Sequence, residues 1–203
     1  PVHYPMARPC EKHRRDYFVE FMASLLPGID FQPPLGYQLF PQDSHDKAVR
    51  DLLAAQGIDV DSNDKLLVCY HLGCYRLARQ GLQRFRLRLK TEGSRSWPVK
   101  SFIELNRLML AEHPNYKLVL TGTAGELKLA KPLIRSAHNI VNLIGQTSVL
   151  ELAALMRYTD AMVSGDTGPM HVACAMQQPV VALFSQTDPL VAGPYPPSDD
   201  KRV

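Results

Sequence analysis

The sequence predicts an α/β fold, a Rossmann-like parallel sheet with helices on both faces, and three observations carry that prediction. Short apolar runs at 66–70, 117–121, 140–143, 161–163 and 180–184 have strand length and lack the polar alternation of half-exposed strands. Stretches with helical spacing of apolar residues separate them, which implies βαβ crossovers. Turn-forming residues sit where strands give way to helices, at Gly122, Gly145 and Ser164-Gly165.

Taken in order, residues 1–43 are proline-rich and heterogeneous. Residues 11–26 read as a helix, with Tyr17, Phe18, Phe21, Met22, Leu25 and Leu26 gathered on one side and Pro27-Gly28 stopping it. Residues 32–43 read as an extended linker. Two readings of 1–43 stand side by side: the end of an upstream domain plus linker, or a helix packed on the main domain. The main α/β domain then spans 44–203. Its first helix is expected at 45–56, with Gly57 as C-cap. The stretch 99–113 reads as an amphipathic helix with Phe102, Ile103, Leu105, Leu108 and Met109 as its apolar residues, and Pro114 follows it. The helix at 126–137 must start late or bend, because Pro132 falls inside it. Ser148 and Glu151 form a capping box for a helix at 148–158.

Residues 74–93 interrupt this alternation. In Arg84-Phe85-Arg86-Leu87-Arg88-Leu89-Lys90 cations and apolar residues alternate, so an extended strand would carry four cations on one face. Such an insertion is either a flap facing anionic lipid or a phosphorylated acceptor, or an edge strand kept from aggregating by its charge.

Composition sets the bounds. With 203 residues, 45% of them hydrophobic, the chain is long enough to bury a core. No apolar run approaches the roughly 20 residues of a membrane-spanning helix, and the start has no signal-peptide pattern, so it reads as cut from something longer. A net charge of +3 is too small to argue for nucleic acid. Cys10, Cys69, Cys74 and Cys174 show no zinc spacing, and Cys69 and Cys174 lie in apolar or small-residue runs that suit buried thiols. Dinucleotide and P-loop fingerprints are absent, Ser164 lacks a nucleophile elbow, and neither the histidines nor the carboxylates cluster as metal ligands.

The most informative stretch is 160–188. A short strand ends at Ser164-Gly165; Asp166 and Thr167 suit a helix N-cap, Pro169 suits the first helical turn, and Pro179 separates this helix from the last strand. A helix N-terminus at the carboxyl end of a strand presents free N–H groups and positive dipole charge, which favours phosphate. Gly168 has no Cβ to hold an anion away.

The run Asp166-Thr167-Gly168-Pro169-Met170-His171, with 179–184 and Thr187-Asp188-Pro189, resembles the C-terminal signature of the heptosyltransferases, glycosyltransferase family 9. The resemblance covers residues 94–195 well and 1–70 loosely. It implies the C-terminal, donor-binding half of a two-domain GT-B enzyme that transfers heptose or a related sugar from an ADP-sugar to a lipopolysaccharide core or other glycolipid acceptor. It also implies metal-independent chemistry without a cofactor, and work in the cytoplasm, peripheral to the inner face of the inner membrane. The general base would lie on the N-terminal domain, so no catalytic residue is expected in this chain, which should be inactive alone.

The donor-binding roles implied by the resemblance fall on seven residues. Asp166 would accept from sugar hydroxyls; Thr167 and Gly168 would give backbone N–H, and Thr167 its hydroxyl, to the diphosphate; His171 would sit beside the phosphates. Arg95, just before Trp97-Pro98, would clamp the diphosphate where the family commonly has lysine. Glu126 would accept from the ribose, and Thr147 would lie by the adenine, while Thr187 and Asp188 would brace the Asp166 turn. Glu126 could equally be a helix-capping carboxylate, and His171 a half-buried structural histidine. The competing functional classes are a non-catalytic nucleotide-binding module and a nucleotide-sugar epimerase or hydrolase.

Overall fold

The computed structural model describes residues 12–26, 28–29, 37–62, 64–73, 97–185 and 187–195. The basic insertion at 74–93, together with Arg95, lies outside them. Strands β1 (Leu67–His71), β2 (Lys117–Thr121), β3 (Ile140–Asn142), β4 (Ala161–Gly165) and β5 (Val180–Leu183) form one sheet in the order β3-β2-β1-β4-β5, and every pairing is parallel. The helices are α1 (Arg14–Leu25), α2 (Asp43–Ala55), α3 (Val99–Glu112), α4 (Leu127–Ile134), α5 (Val149–Leu155), α6 (Gly168–Ala175) and α7 (Pro189–Ala192).

Alternation along the strands builds two cores. Leu67 and Cys69 of β1, with Val119, Met162 and Val180, face α2, α5 and α6 through Val49, Leu53, Leu152, Leu155, Met170 and Ala173. Val68 and Tyr70, with Leu118, Leu120 and Val163, face α3 and α4 through Phe102, Ala130 and Leu133. All five residues of β1 are buried, as a central parallel strand covered on both faces must be.

Local chemistry explains where the elements start and stop. Ser148 and Glu151 do form the capping box of α5. The segment holding Pro132 divides: a 3₁₀ turn over Ala124–Glu126 leads into α4, which ends two residues after the proline, short of the expected 137. Without its N–H, Pro132 cannot bond back into the preceding turn. Strand β4 runs two residues beyond its expected end, because Ser164 and Gly165 still pair with Ala182 and Leu183 of β5. Helix α7 is an element that the sequence reading does not assign; Asp188 caps it by accepting from the Leu190 N–H at 2.9 Å.

At the amino-terminal side, α1 buries none of its residues. It is tied to the end of the described chain instead. His13 Nε2 lies 3.2 Å from the Gly193 carbonyl, and Arg15 donates to the Tyr195 hydroxyl at 3.0 Å while its guanidinium lies 4.6 Å from the Tyr195 ring centroid. Cys69 is buried, whereas Cys174 is only half-buried; burial pushes their thiols up to about 12 and about 11.

Candidate functional site: the carboxyl rim at the β1–β4 crevice

The strand order fixes where a ligand can sit. From β1 the chain moves outward through β2 to β3, then crosses back to place β4 on the other side of β1. The carboxyl ends of β1 and β4 therefore flank the point where the winding reverses, the usual ligand crevice of open parallel sheets. His71, Leu72 and Gly73 line one side of it, and the Asp166 turn lines the other.

The Asp166 turn is held from several directions. Thr187, just after β5, donates its hydroxyl to Asp166 Oδ2 at 2.7 Å, so the expected brace is present. Its expected companion Asp188 instead caps α7. Thr167 is the N-cap residue of α6, with extended backbone angles. Its hydroxyl lies 3.0 Å from that of Ser164 and donates to the Gly165 carbonyl at 3.3 Å, so it is engaged within the turn rather than pointing out unpaired. Gly168 then begins α6, with Pro169 in the first turn, where a missing N–H costs no hydrogen bond.

Gly168 itself is informative. A Cβ built there would meet no atom of the described residues within 4 Å beyond its own helix and chain neighbours. The fold therefore does not require glycine at this place, and the open space at a helix N-terminus is what an approaching anion would use. Gly168→Ala should be at least as stable as the parent, since alanine is the better helix former by about 1 kcal/mol, yet bind phosphate-bearing ligands severalfold more weakly. Thermal unfolding and calorimetric titration of the two proteins check both halves.

His171 follows in the first turn of α6, half-buried. Its ring meets Tyr37 edge-on at 5.5 Å between centroids, and its Nδ1 is buried without a hydrogen-bond partner among the described residues. Burial holds its imidazole below the usual histidine range; Asp166 opposes this, while His13 and Arg14 reinforce it. A neutral ring beside Asp166 and a helix N-terminus is poised to gain a proton when an anion arrives.

Glu126 lies across the rim at the third position of the 3₁₀ turn. The carboxylate is buried, with Oε2 accepting from the Thr123 N–H at 2.7 Å and the Thr123 hydroxyl at 3.1 Å. Both sequence readings therefore have a physical counterpart: Oε2 closes a capping box, and Oε1 faces the end of β1. A Cβ on Gly73 would come within 1.6 Å of that Oε1, so only glycine leaves the carboxylate this position. His71 is buried at the same strand end; burial lowers its pKa against the pull of Glu126 and a hydrogen bond to backbone Thr121. Thr147 lies in the loop after β3, which Gly145 ties to the Glu126 turn by donating its N–H to the Gly122 carbonyl at 2.7 Å. Thr147 is half-buried there. Trp97 is exposed, its ring edge-on to Phe102 at 5.0 Å.

Six of the seven expected residues are thus described, and all six lie in the loops or first helical turns that follow the carboxyl ends of strands. What sequence reasoning missed is the opposite wall. Helix α1 and Tyr37 stand opposite Asp166 and His171 across an open cleft of about 360 Å³. No local pattern announces a contact between residues more than 120 positions apart; the unplaced aromatics Tyr37 and Tyr195 were the available hint.

A parallel sheet whose winding reverses, with a helix N-terminus suited to phosphate at its crevice, is the arrangement of a Rossmann-like domain. The sequence model of glycosyltransferase family 9 (heptosyltransferase) matches residues 90–201, more than half of the chain, and the chain belongs to that family. It is 29% identical over 101 residues to lipopolysaccharide heptosyltransferase 2 of Salmonella typhimurium, an alignment covering 47% of this chain and 28% of that protein. It is 24% identical over 106 residues to the lipopolysaccharide core heptosyltransferase OpsX of Haemophilus influenzae, covering 52% of this chain and 30% of that one. Among solved structures, a family 9 glycosyltransferase of Veillonella parvula superposes with a TM-score of 0.73 at 19% identity, covering 95% of this chain and 49% of that one. Heptosyltransferase WaaC of E. coli, with ADP, superposes with a TM-score of 0.58 at 18% identity, covering 95% and 50%. These superpositions show a shared fold, one Rossmann-like half of the GT-B arrangement. This chain spans about half the length of those structures.

Proposed function

We propose that this chain supplies the donor-binding half of a glycosyltransferase that moves heptose or a related sugar from an ADP-sugar to a lipopolysaccharide core or similar glycolipid. The observation that carries the reading is the Asp166–His171 turn: a carboxylate, an open glycine and a neutral histidine at the N-terminus of α6, facing the β1–β4 crevice. In the reaction an acceptor hydroxyl would attack the anomeric carbon of the sugar. The bond from that carbon to the diphosphate oxygen would break, ADP would leave with the charge, and the hydroxyl proton would pass to a base on the acceptor-binding half.

Within this chain the work is binding and charge stabilisation. Asp166 would orient the sugar through its hydroxyls, and the N–H groups opening α6 would hold the diphosphate. His171 and Arg95 would stabilise the charge developing on the leaving group, without a metal or cofactor. Glu126 would take the ribose hydroxyls, and Thr147 would lie beside the adenine. Among the described residues no helix is long and apolar enough to cross a membrane. The setting we propose is the cytoplasmic face of the inner membrane.

Calorimetric titration of the chain with ADP, and with UDP and NAD as comparators, tests the reading. ADP should bind best, and Glu126→Ala and Arg95→Ala should each weaken it. Best binding of NAD would overturn the transferase reading. Nucleotide binding indifferent to Asp166, Glu126 and Arg95 would favour a non-catalytic module.

A further inference from the structure

His171 stands beside Asp166 in the first turn of α6, and its buried Nδ1 has no hydrogen-bond partner among the described residues. That nitrogen therefore does not fix the direction of the ring. The imidazole packs instead on Tyr37: the two rings meet at 83° with centroids 5.5 Å apart, within the range where aromatic pairs attract edge to face.

Tyr37 itself lies outside every helix and strand, so secondary structure does not hold it. Its neighbour is Tyr195, with ring centroids 6.0 Å apart at 52°. Tyr195 is fixed in turn from the start of α1. Its hydroxyl donates to Asp16 Oδ1 at 3.0 Å and accepts from Arg15 Nη1 at 3.0 Å, which uses a phenol both as donor and as acceptor. The Arg15 guanidinium lies 4.6 Å from its ring centroid, and the His13 ring lies 4.8 Å away between centroids. Helix α1 buries none of its residues, so these contacts, with His13 against the Gly193 carbonyl, hold it in place of a core. One line of side chains thus runs from α1 through Tyr195 and Tyr37 to His171.

We propose that Tyr37 is a positioning residue for the donor site: its ring, held by Tyr195, sets the His171 imidazole in place before the diphosphate arrives. What His171 then meets rests on the donor-site reading; the brace itself does not. A side chain already in place loses no freedom when ligand binds, which is how a residue that touches no phosphate can add affinity. Because Tyr195 takes its own place from α1, the amino-terminal arm bears on the diphosphate site without contacting the ligand.

The test joins NMR of the His171 ring signals to ADP titration of the parent, Tyr37→Phe, Tyr37→Leu and Tyr195→Leu. Neither tyrosine belongs to the two cores, so all four proteins should fold, which thermal unfolding verifies. In the free proteins the His171 signals should stay put in Tyr37→Phe, which keeps the ring. They should move towards those of an exposed histidine in Tyr37→Leu and Tyr195→Leu. Tyr37→Leu should weaken ADP about three- to tenfold, the cost of ordering one side chain on binding, and Tyr37→Phe should stay within about twofold. In a His171→Gln background the loss from Tyr37→Leu should vanish, because no imidazole is left to place. His171 signals unmoved by Tyr37→Leu would overturn the proposal. So would an equal Tyr37→Leu loss with and without His171, which would put Tyr37 against the ligand itself. A parent that binds no ADP defeats the donor-site reading instead, and the signals of the free proteins still decide for or against the brace.

Discussion

Asp166→Asn should bind ADP about as tightly as the parent and lose tenfold or more of its affinity for an ADP-sugar. The substitution is nearly isosteric, and the new amide oxygen can still accept the Thr187 hydroxyl now held at 2.7 Å. The turn, the N-cap and the start of α6 should therefore persist, and with them the N–H groups that would meet the diphosphate. What changes is the acceptor offered to sugar hydroxyls. Hydrogen bonds to a charged group contribute about 1.5–3 kcal/mol, against about 1 kcal/mol for neutral pairs. Two such bonds weakened together amount to about 1–4 kcal/mol, or roughly one to three decades in affinity. Titration of both ligands into both proteins reads the difference directly. Equal loss for ADP and ADP-sugar would mean that Asp166 shapes the turn rather than touching the sugar. No loss for either would remove Asp166 from the donor site.

The same turn shows what a sequence reveals and where it stops. Asp166-Thr167-Gly168 was legible because helix capping, proline placement and phosphate binding are local requirements on residue type. Strand positions were legible for a similar reason: a fully covered parallel strand leaves an unbroken apolar run. Boundaries were less so, because they depend on pairing. Ser164 and Gly165 look like turn formers in isolation, but their backbone groups continue the ladder to β5. Asp188 had two local outlets, and the N–H groups of α7 took it. The α1 wall was beyond reach for a different reason. Residues 13–22 and 37 meet Asp166 and His171 across most of the chain, and such contacts follow from the closed topology rather than from any spacing. Amphipathic spacing predicted the helix, but no local pattern says what its apolar side packs against, and Phe18 and Leu25 are exposed.

Proton linkage gives the second large effect, and its sign is opposite for folding and for binding. In the free protein burial keeps His171 and His71 below the ordinary histidine range, so both rings stay neutral where the unfolded chain would be protonated. As pH falls through about 6.5, the unfolded state takes up protons that the folded state refuses, and stability declines until the lowered folded values are passed. A phosphate beside His171 reverses that ring's preference, raising its pKa and drawing a proton in as ADP binds. Binding should then tighten as pH falls from 8 to 6, by at most about tenfold per pH unit for one proton. The groups acting on the ring are Asp166, which favours the charge, and His13, the N-cap of α1, with Arg14 of that helix, which oppose it. The terminal phosphate of ADP titrates in the same range, so the reading is the difference between the parent and His171→Gln. Calorimetry in two buffers of unlike ionisation heat should show more proton uptake by the parent than by the variant. Identical uptake would place His171 away from the phosphates and leave it a half-buried ring against Tyr37.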